Sequence, residues 1–239
     1  MARKYVSNRN ESVRIYRSDL LERLTYVHPA VPHLLYLPVI ALSLVASWAR
    51  GLSPLAMVSF VLVGTLLWTL VEYLIHRFAF HVGPAFEQGV HDLVQSVPRG
   101  EAVFPRLASW RQRIYFLAHG VHHDYPSDAR RLVMPPVVSI PLALAFFALF
   151  RLTFGPAVGP SLFAGLVSGY LAYDTIHYLV HNGAARGPML AYLKKKHFRH
   201  HYGDSTRDYG VSSPLWDVVL GTMGRRRVTG SPETVRGPS

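Results

Sequence analysis

Lys194-Lys195-Lys196-His197-Phe198-Arg199-His200-His201 carries the spacing His-x-x-His-His, and His119-Gly120-Val121-His122-His123 repeats it. On a helix of 3.6 residues per turn, positions i, i+3 and i+4 share one face, so each copy can turn three imidazoles the same way. At the chain's histidine frequency, 13 in 239, a shuffled sequence holds about 0.04 copies of this pattern. Two further pairs, His76 with His81 and His177 with His181, bring ten of the 13 histidines into four clusters. The remaining three, His28, His33 and His91, fit no ligand spacing and read as ordinary interfacial or structural residues.

Working outward, the clusters are set in an apolar chain. Half the residues are hydrophobic, 16% are charged and the mean hydropathy is positive, the composition of a membrane protein. Four apolar stretches stand out, at about 34–49, 52–75, 132–154 and 157–180. Each nears or exceeds the roughly 20 residues that cross a bilayer. Pro38 in the first and Pro135, Pro136 and Pro141 at the start of the third promise kinks there. Short connections, Arg50-Gly51 and Gly155-Pro156, pair the stretches into two helical hairpins. The expected architecture is therefore all-α: an integral membrane protein of four transmembrane helices in two hairpins, with a cytoplasmic helical cap carrying the histidines.

Charge orients this scheme. The hairpin turns hold only Arg50 and Arg151 of the 25 Lys and Arg residues. The others lie in residues 1–33, in the 77–131 connection and after the fourth stretch, which places these regions and both chain ends on the cytoplasmic side. Every histidine cluster then falls at the same membrane face. The net charge of +11 suits anionic lipid headgroups and not nucleic acid. Lys194–Lys196 with Arg186 and Arg199 form a basic patch for headgroups or for an acidic electron-donor protein. With no cysteine, thiolate zinc sites, Fe–S clusters and disulfides are excluded. No cleavable signal peptide is expected, because six arginines and lysines of the first 23 residues flank no apolar core. Residues 1–33, with Ser18 as a helix N-cap, are expected on the membrane surface or in solvent, 34–222 as one membrane domain and 223–239 as a flexible tail.

Neutral imidazole ligates iron, zinc, copper and nickel. His177 and His181, at i and i+4, can grip one ion. His76 and His81 are five apart, about 140° of α-helical rotation, so they converge only if the helix unwinds, or else serve different metals. Ten rings exceed the demand of one ion, which argues for two. The metal ligands expected are thus His76, His81, His119, His122, His123, His177, His181, His197, His200 and His201. A ligand ring needs an acceptor for its other nitrogen. Glu72 and Asp174, each within a turn of a cluster, are candidates, with an ion pair to Arg77 as the alternative for Glu72. Asp124, Asp204 and Asp208 are weaker ones.

At residues 69–81, 119–136, 173–182 and 194–222 the chain resembles the fatty acid hydroxylase superfamily. RLVMPP after the second cluster and YGVSSPLWDVVLGT after the fourth most resemble the fatty acid 2-hydroxylases, over roughly residues 18–222. The resemblance implies a non-haem di-iron oxygenase that uses O2 to hydroxylate a lipid acyl chain at C2, with Tyr170 and Tyr173 as candidate substrate contacts. Zinc has no redox chemistry and would be a substitute in the same cage. The cytochrome b5 domain common in such relatives has no counterpart here, so electrons are expected from a separate donor of cytochrome b5 or ferredoxin type. The 82–118 connection is longer than the resemblance leads one to expect, and either covers the site or is a lineage-specific loop. Sterol or carotenoid hydroxylases and desaturases share the histidine spacing and are the alternative. A metal-binding or transport protein is the alternative from another class. The expected location is the endoplasmic reticulum in a eukaryote or the inner membrane in a bacterium.

Overall fold

The computed structural model describes residues 5–184 and 186–224; most of the expected tail, 225–239, lies outside them. Among the described residues the regular elements are all helical. Three helices are long and apolar enough to cross a membrane: α2 (Ala30–Trp48), α3 (Pro54–Leu74, running on to Phe80) and α7 (Pro136–Asn182). Their outward faces are bare hydrocarbon, with Leu34 75%, Leu55 78% and Leu152 85% exposed, as lipid-facing side chains must be. The short helices α1 (Asp19–Leu24), α4 (Pro84–Gln95), α5 (Trp110–Tyr115), α6 (Val121–Asp124), α8 (Pro188–Tyr202) and α9 (Leu215–Val219) complete the chain; α4–α6, α8 and the N-terminal strand of chain form a head over the long helices.

Local chemistry accounts for the long helices. Ser53 caps α3 by accepting from Ala56 N, Pro54 begins it, and the turn from α2 passes through Gly51 at φ +82°, a conformation that favours glycine. Unbroken, the 47 residues of α7 would run about 70 Å, more than twice a bilayer's hydrocarbon thickness. Gly155, at φ 76° and ψ 179°, breaks the helix. The chain reverses there, for the rings of Phe147 and Phe163 stand 5.2 Å apart. The two arms pack with α2 and α3 around Tyr36, Trp68, Phe150, Phe163, Leu166 and Tyr170. Glycine permits the closest crossing: a Cβ on Gly165 would sit 2.1 Å from Val61 O, and one on Gly64 2.1 Å from Leu162 O.

The head has its own core, in which Val90, Val94, Val103, Leu107, Phe116 and Val121 close around Ile15. Residues 5–17 accordingly differ from the expected surface or solvated segment. They run as a strap through the head: Val6 N and Ser7 N donate to Asp124 O, and Val103 N and Phe104 N donate to Arg14 O and Ile15 O. Arg131, bonded to the buried carboxylates of Glu22 and Asp128, fastens the strap's end through ion pairs of 2.5 and 3.2 Å. Only α1 keeps a lipid-suited face, with Leu20 and Leu24 exposed and Ser18 capping it as expected.

Candidate metal centre

The ends of α3 and α7 carry two histidine pairs into the head. His177 and His181 sit on regular helix, one turn apart. His76 and His81 sit on a π-helical turn, Ile75–Phe80, closed by His81 N donating to His76 O at 3.2 Å. A π turn bonds i to i+5, so residues five apart come to the same side. This is the unwinding that the spacing demanded. A second π turn, Phe116–Gly120, precedes α6 and aims His119.

The ten histidines meet in two sets of five. One is His76, His81, His119, His123 and His200; the other is His122, His177, His181, His197 and His201. Within each set the ligand atoms all lie within 4.8 Å of one another. The expectation that each His-x-x-His-His motif faces one way is corrected by this arrangement. Positions i and i+4 of a motif stay together, while i+3 crosses to the other set. The reason is angular: i and i+4 differ by about 40° on a helix, whereas i+3 and i+4 differ by about 100°. Each motif therefore stands between the sets.

The ring nitrogens establish what the sets can hold. His200 Nδ1 donates to Arg207 O at 2.7 Å, and His81 Nδ1 donates to the Glu87 carboxylate at 3.2 Å. With those protons on Nδ1, both Nε2 atoms carry lone pairs, yet they lie 2.9 Å apart. In the other set His177 Nδ1 donates to Leu132 O, and its bare Nε2 lies 3.0 Å from His122 Nε2. His181 and His201 approach His197 Nε2 to 2.9 and 3.0 Å. Facing lone pairs repel unless a cation lies between them. Protonation does not supply it: burial first, and neighbouring imidazoles second, hold His119, His122, His123, His197, His200 and His201 well below the ordinary histidine pKa. Nitrogens about 2.1 Å from one ion and at right angles around it would be about 3.0 Å apart. The donor set fits a metal centre.

The outer partners differ from the candidates. No ligand histidine bonds to Glu72 or Asp174 among the described residues. Glu72 accepts from the backbone N–H groups of Val211 and Ser212 and from the Ser212 hydroxyl. It thereby pins the loop whose Tyr209 carbonyl accepts from His76 Nδ1. Arg77 bonds to Tyr73 instead. Asp174 is buried within α7, Asp124 pairs with His91, Asp208 with Arg199, and Asp204 accepts from Thr206. His33 ties α2 to Thr175 of α7, and His28 accepts from Ala30 N. Tyr173 stacks on the His177 ring, 5.6 Å between centroids. Tyr170 lies deeper, against Tyr36 and Trp68.

Sequence reading missed two supports. Glu87 is one. The other is Lys196, read as part of a surface patch but 1% exposed. It donates to Asp217 at 2.6 Å and to Gly210 O at 2.5 Å. Asp217 also accepts from Tyr209 N, Gly210 N and the Thr222 hydroxyl. With Arg199 held by Asp208, the basic patch shrinks to Lys194, Lys195 and Arg186.

Helices, histidine sets and supports together are the parts of a membrane hydroxylase. The fatty acid hydroxylase family model matches residues 61–222, and the chain belongs to that family, whose members are oxidoreductases. It is 35% identical to a dihydroceramide fatty acyl 2-hydroxylase of Arabidopsis thaliana over 89% of this chain and 81% of that one. Against the human fatty acid 2-hydroxylase the identity is 33%, over 88% of this chain and 56% of the longer relative. A solved structure of full-length scs7p, with only the hydroxylase domain visible, matches at TM-score 0.75 and 30% identity, over 90% of this chain and 74% of that one.

Proposed function

We propose that this chain hydroxylates a lipid acyl chain at C2, on a fatty acid or a sphingolipid N-acyl group. The balance is one C–H bond and one O2, with two electrons and two protons from outside, giving the C2 alcohol and one water. The facing bare nitrogens of His81 and His200 carry the reading, since only a bound cation reconciles them. Two ions, one in each histidine set, are inferred. Iron bound there would supply the activation of O2 and the oxidation of an unactivated C–H bond.

The chain's own residues do the rest. The ten imidazoles give neutral donors, and Tyr209, Arg207 and Leu132 fix three of them through backbone carbonyls. A small apolar cavity of about 30 Å³ among α2, α3 and α7, lined by Tyr36, Trp68, Met134, Ser139, Phe146 and Tyr170, would have to widen to admit an acyl chain. Trp68 Nε1 is buried there with no hydrogen-bond partner among the described residues, which leaves a donor for an acyl carbonyl. Four membrane crossings with both termini cytoplasmic are part of this reading, supported by the reversal at Gly155 and by the charge map. The C2 position lies near the lipid head group, so oxidation belongs at the membrane boundary, where the sets would sit. A separate donor of cytochrome b5 or ferredoxin type would approach over Lys194, Lys195 and Arg186.

The test is mass spectrometry of lipids from cells expressing the chain or its His122→Ala variant. The 2-hydroxy acyl product is expected with the former and absent with the latter. A hydroxylated sterol or carotenoid in its place would overturn the assignment.

A further inference from the structure

The two histidine sets differ in what holds their rings. In the first, His76 and His200 give their Nδ1 protons to backbone carbonyls, and in the second His177 does the same. Of the ten clustered histidines, all within the described residues, His81 is the one whose Nδ1 proton goes to a carboxylate, that of Glu87. Both side chains are largely shielded from water, at 5% and 14% exposure.

Glu87 belongs to α4, in the long 82–118 connection. Its Oε1 accepts from Gly83 N at 3.1 Å, across the helix N-terminus, while Oε2 faces His81. His91, one turn on, pairs with Asp124, which directly follows His123. Val90 and Val94 on the same face are buried in the head core. Glu87, Val90, His91 and Val94 thus make one stripe at i, i+3, i+4 and i+7, and that stripe is applied to the first set.

We infer that Glu87 is a positioning residue that makes the first histidine set the tighter of two unequal metal sites, and that α4 exists to hold it there. A carboxylate fixes the ring orientation of His81 and raises the basicity of its Nε2 more than a neutral carbonyl does. The inference rests on the two-ion reading above.

The experiment compares the full chain in detergent with its Glu87→Gln and Glu87→Ala variants. Glutamine keeps one acceptor oxygen, for His81 Nδ1–H or for Gly83 N–H but not for both, and loses the charge; alanine loses both oxygens. Each is stripped of metal and titrated with Co(II), followed by the visible ligand-field bands and by bound-metal analysis. Two equivalents of unequal affinity are expected for the parent chain. In Glu87→Gln the tighter one should weaken by about 10–100-fold with the other unchanged, and Glu87→Ala should weaken it at least as much. Melting temperature is recorded beside each titration. Equal weakening of both equivalents, as a general loss of structure would give, overturns the inference, and so do two unchanged equivalents. A parent chain that binds fewer than two equivalents overturns the two-ion reading itself.

Discussion

The two histidine sets have the same parts list and reach it by different backbones. Each takes a pair from the end of a long helix, an i/i+4 pair from one His-x-x-His-His motif and the i+3 histidine of the other motif. The second set does this with ordinary α-helix throughout. The first needs two π turns, Ile75–Phe80 and Phe116–Gly120, to bring His76, His81 and His119 into place. Matching ligand geometry therefore does not require matching local structure, and a repeated motif need not be a repeated site. The exchange of one histidine between motifs also means that neither set can be assembled without both segments of chain.

The strongest way to break this comparison is to remove a crossing histidine. His122→Ala should abolish the second set's ion and leave the first, although its motif neighbours His119 and His123 belong to the first. His200→Ala should do the reverse. Product formation should fall by more than about 100-fold in each, beyond the usual effect of an outer partner. Metal analysis of the purified variants reads out which ion is lost. If His122→Ala released the first ion and spared the second, the crossing would be wrong.

A smaller effect tests what the sets share. Lys196 supports α8 from within, and through Asp217 it also supports Tyr209, which holds His76. Lys196→Ala leaves Asp217 buried and unpaired, at a cost of about 3–5 kcal/mol. Denaturation midpoints in detergent should show that loss. Lys196→Met with Asp217→Leu should recover part of it, because no charge is then stranded.

The smallest concerns protons. The buried head histidines have depressed pKa values when folded, led by burial. The unfolded chain, near 6.5, then binds more protons than the folded one as the pH falls. Stability of the metal-free chain is full well above that value and declines as the pH falls towards and through it, by about 2 kcal/mol between pH 7.5 and 6.5 if six groups act independently. Thermal melts across this range measure it. An unchanged melting temperature would mean that the rings titrate alike in both states.

Much of this was legible in the residues. Side-chain counting and spacing marked all ten histidines that the fold gathers, and hydropathy marked the long helices, with Gly155-Pro156 as the point of reversal. The division of labour within a motif was not legible, because three rings on one face satisfy one ion as readily as two. The π turns were foreshadowed only by the five-residue gap between His76 and His81. Lys196 looked like its neighbours Lys194 and Lys195, and only the tertiary partner Asp217 sets it apart. Glu72 was placed correctly near the site but acts one step further out, through the loop at Val211 and Ser212. The strap at residues 5–17 lacked any periodicity, since its pairing is with loops and not with a helix or sheet.

The π turn at Ile75–Phe80 has a genetic consequence. A π turn is an α-helix carrying one additional residue, so His76 and His81 stand one codon away from the i, i+4 spacing of His177 and His181. Loss of a single codon among those for 77–80 would regularise the helix and turn the two membrane pairs into copies of each other in spacing, with both rings of each pair still on one side. That one codon keeps the two halves of the site distinct.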